Sequence, residues 1–300
     1  MHRLASIPGL GPAEDFALVE QPQASVLLLT SATTDVATLA STLELADQSA
    51  WRDRIRALPL SCLEHPAQID HYLATTGQGA RIIVVRLLGG RSHWSYGLEQ
   101  LSIWQESSPQ RELLVLAGTI DQNIELHHLG SQPSWLVDQL AQLLREGGID
   151  NMSTLLSVLS DLLDGHPLSA DQLAVKAMED PAPWDWQEEH GSKVGVVLYR
   201  ALLQAQDLDF PKAINQQLRL QGLVPRAIWV SSLRDPVVQK GVADLFDQQN
   251  VAAVLTTTSF ASVQFQEADL GAPLWDGLNI PVIQVLSSGS SRDEWLASSR

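Results

Sequence analysis

Short apolar runs alternate along this chain with stretches of helical periodicity, at a spacing close to that of a βα unit. Ser25 to Thr30, Arg56 to Leu60, Arg81 to Leu87 and Glu112 to Leu116 read as buried strands. Thr34 to Asp47, His65 to Thr75 and Trp94 to Glu106 read as the helices between them. Ile82-Ile83-Val84-Val85 shows no polar alternation, the pattern of a strand covered on both faces of a parallel sheet. Residues 1–130 therefore predict a first α/β domain.

Residues 131–164 predict a helical hairpin. Trp135, Leu136, Leu140, Leu143 and Leu144 fall on one apolar face, and Ile149, Met152, Leu155, Leu156, Leu159, Leu162 and Leu163 on another. Gly147-Gly148 parts the two helices, and Asp150 is the expected cap of the second. Over 165–191 the pattern lapses into proline, acid and tryptophan, as in a linker. The rhythm then restarts, with strands at Val194 to Tyr199, Ala227 to Ser231, Ala252 to Thr256 and Pro281 to Leu286. Helices are expected near Phe210 to Gln221 and Val237 to Gln249. Residues 192–300 make a second α/β domain, expected to be truncated because the chain stops inside the helix-like segment Asp293 to Arg300. The fold class is α/β: two doubly wound, Rossmann- or flavodoxin-like parallel-sheet units joined by a helical hairpin and a linker.

Composition narrows the function classes. A 300-residue chain with 45% hydrophobic residues is long enough for about two buried cores. Thirty-five acids against nineteen Lys and Arg give a formal charge of −16, a field that repels nucleic acid and anionic membrane surfaces. No run approaches the roughly 20 apolar residues of a membrane span. Pro8, Pro12, Glu14 and Asp15 occupy the place of a signal-peptide core, so a cytoplasmic protein is expected. Cys62, the single cysteine, rules out an intramolecular disulfide and a thiolate metal site.

Ligands of open parallel sheets sit beyond the carboxyl ends of the strands, which directs attention to the loops after each apolar run. Leu88-Gly89-Gly90-Arg91-Ser92-His93-Trp94 leaves the third strand. Its glycines permit close backbone approach, Arg91 suits a carboxylate, and Trp94 offers a flat face; a tight turn with a core tryptophan is the simpler reading. In the second domain the loops begin at Tyr199-Arg200, Ser231-Ser232-Leu233-Arg234-Asp235, Thr256-Thr257-Thr258-Ser259 and Ser287-Ser288-Gly289-Ser290-Ser291-Arg292. Hydroxyls of Ser231, Ser232, Thr257 and Ser290, with Tyr199 and the cations Arg200, Arg234 and Arg292, would then share one sheet edge and suit a ligand with several carboxylates. Equally, Ser and Thr there can simply cap the following helices, as Asp235 before Pro236 is placed to do.

Sharper chemistries find no support. There is no G-x-x-x-x-G-K-[ST] phosphate loop, so no ATP hydrolysis by this chain is expected. Gly9-Leu10-Gly11 follows no strand and lacks a third glycine, and Ser288-Gly289-Ser290 is not a nucleophile elbow. His65 and His71 are off one helix face, and no histidine pair has the i, i+4 spacing of a helical metal site. Neither a catalytic residue nor a metal ligand is assigned. Trp184 and Trp186 lie in the linker, where they either close over a ligand or anchor the segment to a domain.

Several blocks resemble the CobN family of cobaltochelatase large subunits, in the family's order. They are Met1-His2-Arg3-Leu4-Ala5 with Glu20-Gln21-Pro22; Val84-Val85-Arg86-Leu87-Leu88-Gly89-Gly90-Arg91 with Trp94, Tyr96 and Gly97; and Leu144-Arg145-Glu146-Gly147-Gly148. Tyr199-Arg200-Ala201 with Leu203-Gln204-Ala205, Val230-Ser231-Ser232-Leu233, and Gly289-Ser290-Ser291-Arg292 with Trp295 follow. Thr256 stands where the family has an asparagine, and Gln206-Asp207 where it has a Gly-Asn pair.

The resemblance implies the tetrapyrrole-binding region of a subunit that inserts Co2+ into hydrogenobyrinic acid a,c-diamide in cobalamin biosynthesis. It also implies that ATP is hydrolysed on partner subunits of the CobS and CobT type, and kinship with the H subunit of magnesium chelatase, which holds protoporphyrin. Family members are several times longer, so these 300 residues are expected to bind ligand without catalysing insertion and to hold no cofactor of their own. A non-catalytic α/β interaction module is the alternative from another class.

Overall fold

A computed structural model of the chain describes residues 17–119, 126, 128–258, 273–286 and 291–297. Two compact units meet in sequence between Val175 and Lys176.

In the first unit, four strands form one parallel sheet: β1 (Val26–Thr30), β2 (Ile55–Pro59), β3 (Ile82–Leu87) and β4 (Glu112–Ala117). Their order is β2-β1-β3-β4, with Val26 paired to both Ile55 and Ile82. β1 and β3 are buried at every position, because helices cover both faces. On one face Leu27, Leu29, Ile83 and Val85 pack with Ile69 and Tyr72 of α2 (Pro66–Ala74) and with Leu98, Leu101 and Trp104 of α3 (Ser95–Glu106). On the other, Val26, Leu28, Ile82 and Val84 pack with Leu39 of α1 (Thr33–Leu43) and with the apolar stripes of α4 (Ser134–Glu146) and α5 (Gly148–Asp164). The helical hairpin thus forms part of one layer of this unit, and Leu168, Leu173 and Val175 pack with it.

Two details of the hairpin differ from the sequence reading. Trp135 is exposed, and Val137 takes its place on the buried stripe of α4, since position 135 lies one residue outside the 3.6-residue register. Asp150 does not cap α5: Gly147, at φ 65°, is the N-cap, and Asp150 lies inside the first turn, where its charge still complements the helix dipole.

The second unit contains a five-stranded sheet: β5 (Ala182–Trp184), β6 (Lys193–Tyr199), β7 (Val224–Val230), β8 (Ala253–Thr256) and β9 (Val282–Gln284). The order is β5-β7-β6-β8-β9, parallel except for β5. β5 lies within the stretch expected to be linker; its prolines hide a strand signal, but an edge position tolerates them. Trp184 packs on Trp229 at 5.0 Å between ring centroids, and the Trp186 indole donates to the Ala227 carbonyl at 2.7 Å, so both tryptophans anchor the segment. α6 (Arg200–Gln204) and α7 (Asp209–Leu220) cover one face; α8 (Pro236–Gln248) and α9 (Pro273–Leu278) cover the other. α10 spans Arg292–Ala297.

Candidate functional site at the sheet switch points

Both sheets contain the strand order 2-1-3-4, in which the connections leaving the first and third strands run to opposite sides. A crevice therefore opens between the carboxyl ends of the first and third strands. The two units fill that crevice differently.

In the first unit it is occupied from within. Arg86, at the end of β3, donates to Asp35 of α1 at 2.6 Å and to the Leu144 carbonyl of α4 at 3.1 Å. The hydroxyl of Thr30, the last residue of β1, donates to the other Asp35 oxygen at 2.6 Å. All three residues are buried. Burial pushes the Asp35 carboxyl above its ordinary range, while the Arg86 charge and the two hydrogen bonds pull it back. In sequence the only local signal of this network is Arg86 near the end of an otherwise apolar strand. Arg91 and Trp94 follow the same strand through Gly89 and Gly90, both at positive φ. Arg91 is exposed; the Trp94 indole donates to the Leu63 carbonyl at 3.0 Å, and its ring lies against Gly97, where an added Cβ would come within 2.1 Å. Trp94 thus works as a brace inside its own unit.

In the second unit the crevice is open. Tyr199 from the end of β6, Ser231, Ser232, Leu233 and Arg234 after β7, and Thr258 after β8 line a cavity of about 200 Å³. Each flanking loop is fixed by its own hydrogen bonds. The Ser231 N–H donates to the Asp180 carboxylate, the Arg234 N–H to Ser232 Oγ at 3.2 Å, and the Gln239 side chain to the Leu233 carbonyl at 2.6 Å. Asp235 caps α8 by accepting from the Val237 N–H at 2.8 Å. Across the cavity, Thr257 turns inward, its hydroxyl donating to the Val197 carbonyl at 2.9 Å, and the adjacent Thr258 faces the space. The Gln284 side chain ties the loop by donating to the Thr256 and Thr258 carbonyls.

Four of the residues named from sequence, Tyr199, Ser231, Ser232 and Arg234, therefore meet at one cavity. Arg200 opens α6 half-buried, Arg292 opens α10 exposed, and Ser290 lies outside the described residues. Thr258 and Leu233 lie in loops that the strand-end rule marks without being singled out, and the distant Asp180 lies in none of them. Nothing local marks Asp180, whose role depends on β5 pairing beside β7.

Chemically, the lining offers a phenol, hydroxyls and a guanidinium over one buried leucine, a donor-rich set suited to anionic oxygen on a partly apolar body. Among the described residues no group of three His, Cys, Asp or Glu side chains is placed to hold a metal ion. No described helix is long and apolar enough to cross a membrane.

Comparison with known proteins agrees with this architecture. The solved catalytic subunit of cobaltochelatase from Mycobacterium tuberculosis matches with a TM-score of 0.63 at 22% identity, over 92% of this chain and 22% of that one, a likeness of fold. The aerobic cobaltochelatase subunit CobN of Pseudomonas aeruginosa is 28% identical over 309 residues, covering 99% of this chain and 24% of the relative. CobN from a Sinorhizobium species is 29% identical over 293 residues, covering 92% of this chain and 23% of the relative. The chain spans about a quarter of the length of these curated relatives. Because the CobN/Magnesium Chelatase family model matches residues 141–300, more than half of its length, the chain belongs to that family.

Proposed function

We propose that this chain forms one wall of the tetrapyrrole cleft of a cobaltochelatase large subunit, gripping the acidic rim of the macrocycle with Tyr199, Ser231, Ser232, Arg234 and Thr258. The observation that carries this reading is the donor-lined cavity at the β6/β8 switch point. Its size sets the division of labour. A space of about 200 Å³ suits a carboxylate-bearing arm and not a four-ring macrocycle. Metal insertion also requires loss of the pyrrole N–H protons, and the lining residues Tyr199, Ser231, Ser232, Leu233, Arg234 and Thr258 include neither a carboxylate nor an imidazole to take them. The chain therefore binds and orients, without catalysing insertion.

In the whole assembly, the substrates are Co2+ and hydrogenobyrinic acid a,c-diamide, and ATP is hydrolysed on CobS- and CobT-type partners in the cytoplasm. Support comes from the family and from the CobN names of the curated relatives. Because the family model spans both metal chelatases, protoporphyrin is the competing ligand.

Titration of the nine tryptophans by fluorescence tests the reading. Quenching by the corrinoid precursor at micromolar concentration, weakened about tenfold by Arg234→Ala, is the expected result; tenfold corresponds to about 1.4 kcal/mol. Tighter binding of protoporphyrin would assign the chain to the magnesium branch. Absence of quenching by either ligand would leave a non-catalytic interaction module.

A further inference from the structure

The two sheets have four outer strands, and three of them are guarded in ways expected of edge strands. Outside β2, the Gln21 amide donates to the Ala57 carbonyl at 3.3 Å, and Pro59 has no N–H to offer. Outside β4, the Ser131 N–H donates to the Leu113 carbonyl and the Leu113 N–H donates to Ser131 Oγ, both at 2.9 Å. At the far side of the second sheet, β5 covers β7, and β5 itself is centred on Pro183.

Among the described residues, β9 has no such guard. Its Val285 N–H donates to Thr256, and the Pro281 carbonyl accepts from Val254, so these residues face β8. In a parallel strand the alternate residues then direct both backbone groups the other way: Val282 and Gln284 present N–H and C=O outward. Pro281 spends its missing N–H on the β8 side and does not blunt the edge. Among the described residues none pairs with these outward groups. Burial also fades toward this side: β6 and β7 are buried almost throughout, β8 at alternate positions, and β9 nowhere. Ile283 is 53% exposed and Leu286 78%, and on α10 Trp295 is 58% and Leu296 61% exposed. A parallel strand that is open on one edge and carries exposed apolar side chains leaves room for a further βα unit in its layer.

We infer that the β9 edge, with Ile283 and Leu286 beside it, is a docking surface for a parallel strand and its covering helix, supplied by the part of a CobN-length polypeptide that this chain does not match. The curated relatives are about four times the matched length, so such material exists in them. The inference rests on the family reading but not on tetrapyrrole binding.

The probe is a polypeptide comprising the portion of the Pseudomonas aeruginosa CobN subunit outside the match, titrated calorimetrically against this chain. A one-to-one complex is expected, with slowed amide exchange at Val282 and Gln284. Ile283→Asp combined with Leu286→Asp should weaken it about thirtyfold, as for an interface anchor. Arg234→Ala at the cavity should leave it unchanged. Both apolar positions are exposed, so the double variant keeps its melting transition, which calorimetry of the chain alone verifies. Failure to form a complex, or an affinity indifferent to these substitutions, overturns the inference. A dimer of the chain dissolved by the same substitutions overturns it as well, by making a second copy the occupant. Loss of tetrapyrrole quenching with the complex intact would sink the proposed function alone.

Discussion

The backbone N–H of Ser231 donates to both carboxylate oxygens of Asp180, at 3.2 and 3.3 Å, across 51 residues of sequence. This bond ties the stretch before β5 to the loop that lines the cavity, and it takes a strand-end N–H that would otherwise point to ligand or solvent. Asp180→Ala leaves that part-buried N–H without its partner, at a cost of about 1–3 kcal/mol. The expected outcome is a lower melting temperature of the second unit and a severalfold weaker tetrapyrrole affinity. Asp180→Asn retains an acceptor oxygen and should recover most of both, which separates positioning of Ser231 from a charge effect.

The ion pair between Arg86 and Asp35 predicts asymmetric mutant energetics. Removing one partner strands a buried charge and costs about 3–5 kcal/mol, and Arg86→Met additionally releases the Leu144 carbonyl at the end of α4. Replacing both, with Asp35→Leu and Arg86→Met, removes the desolvation problem with the attraction. The double variant should therefore be more stable than either single one in urea unfolding. Additive losses would show that the two charges act independently.

Acid should loosen the second unit around Asp185. Partial burial pushes this carboxyl up, but hydrogen bonds from Asn215 and Arg219, at 2.9 and 2.8 Å, together with the Arg219 charge, outweigh burial and hold it below the ordinary carboxylate range. Arg219 also bonds Glu189 at 2.8 Å. A carboxyl depressed in the folded state binds protons more weakly there than in the unfolded chain. Its stabilisation is complete above the unfolded value of about 3.9 and is lost as pH falls through the folded value. Melting temperature followed from pH 6 downward should fall less steeply in Asp185→Asn than in the parent chain.

How much of this was legible in sequence follows from the kind of force involved. Strands buried on both faces declare themselves as apolar runs, which is why β1, β3 and β6 stand close to where Ser25, Arg81 and Val194 begin their runs. Pro225 and Arg226, by contrast, hide the first residues of β7, which starts at Val224 and not at Ala227. The strand-end rule then gathers Tyr199, Ser231, Ser232 and Arg234 without further information. β5 escaped because a strand of three residues with a central proline exists only through pairing with β7, a tertiary effect. The Arg86–Asp35 pair escaped for a similar reason, since only the fold brings together residues 51 apart. Thr257 and Thr258 are chemically identical in sequence, and only the path of the chain after β8 turns one hydroxyl to Val197 and the other to the cavity.

Gly195 supplies a last test, because its hydrogen is all that separates β6 from α8. A Cβ there would lie 2.7 Å from the Phe246 ring, well inside contact distance, and Phe246 is fully buried. The ring has nowhere to retreat, so Gly195→Ala must push α8 away from the sheet. Overpacking of this kind costs about 1–3 kcal/mol. α8 begins at the Asp235 cap, directly after Arg234, and its displacement carries the cavity rim with it. Gly195→Ala should accordingly lower both the stability of the second unit and its affinity for tetrapyrrole. Adding Phe246→Leu trims the clashing ring and should restore part of each. Binding that stays intact while stability falls would show the rim to be held by Asp180 and β7 alone.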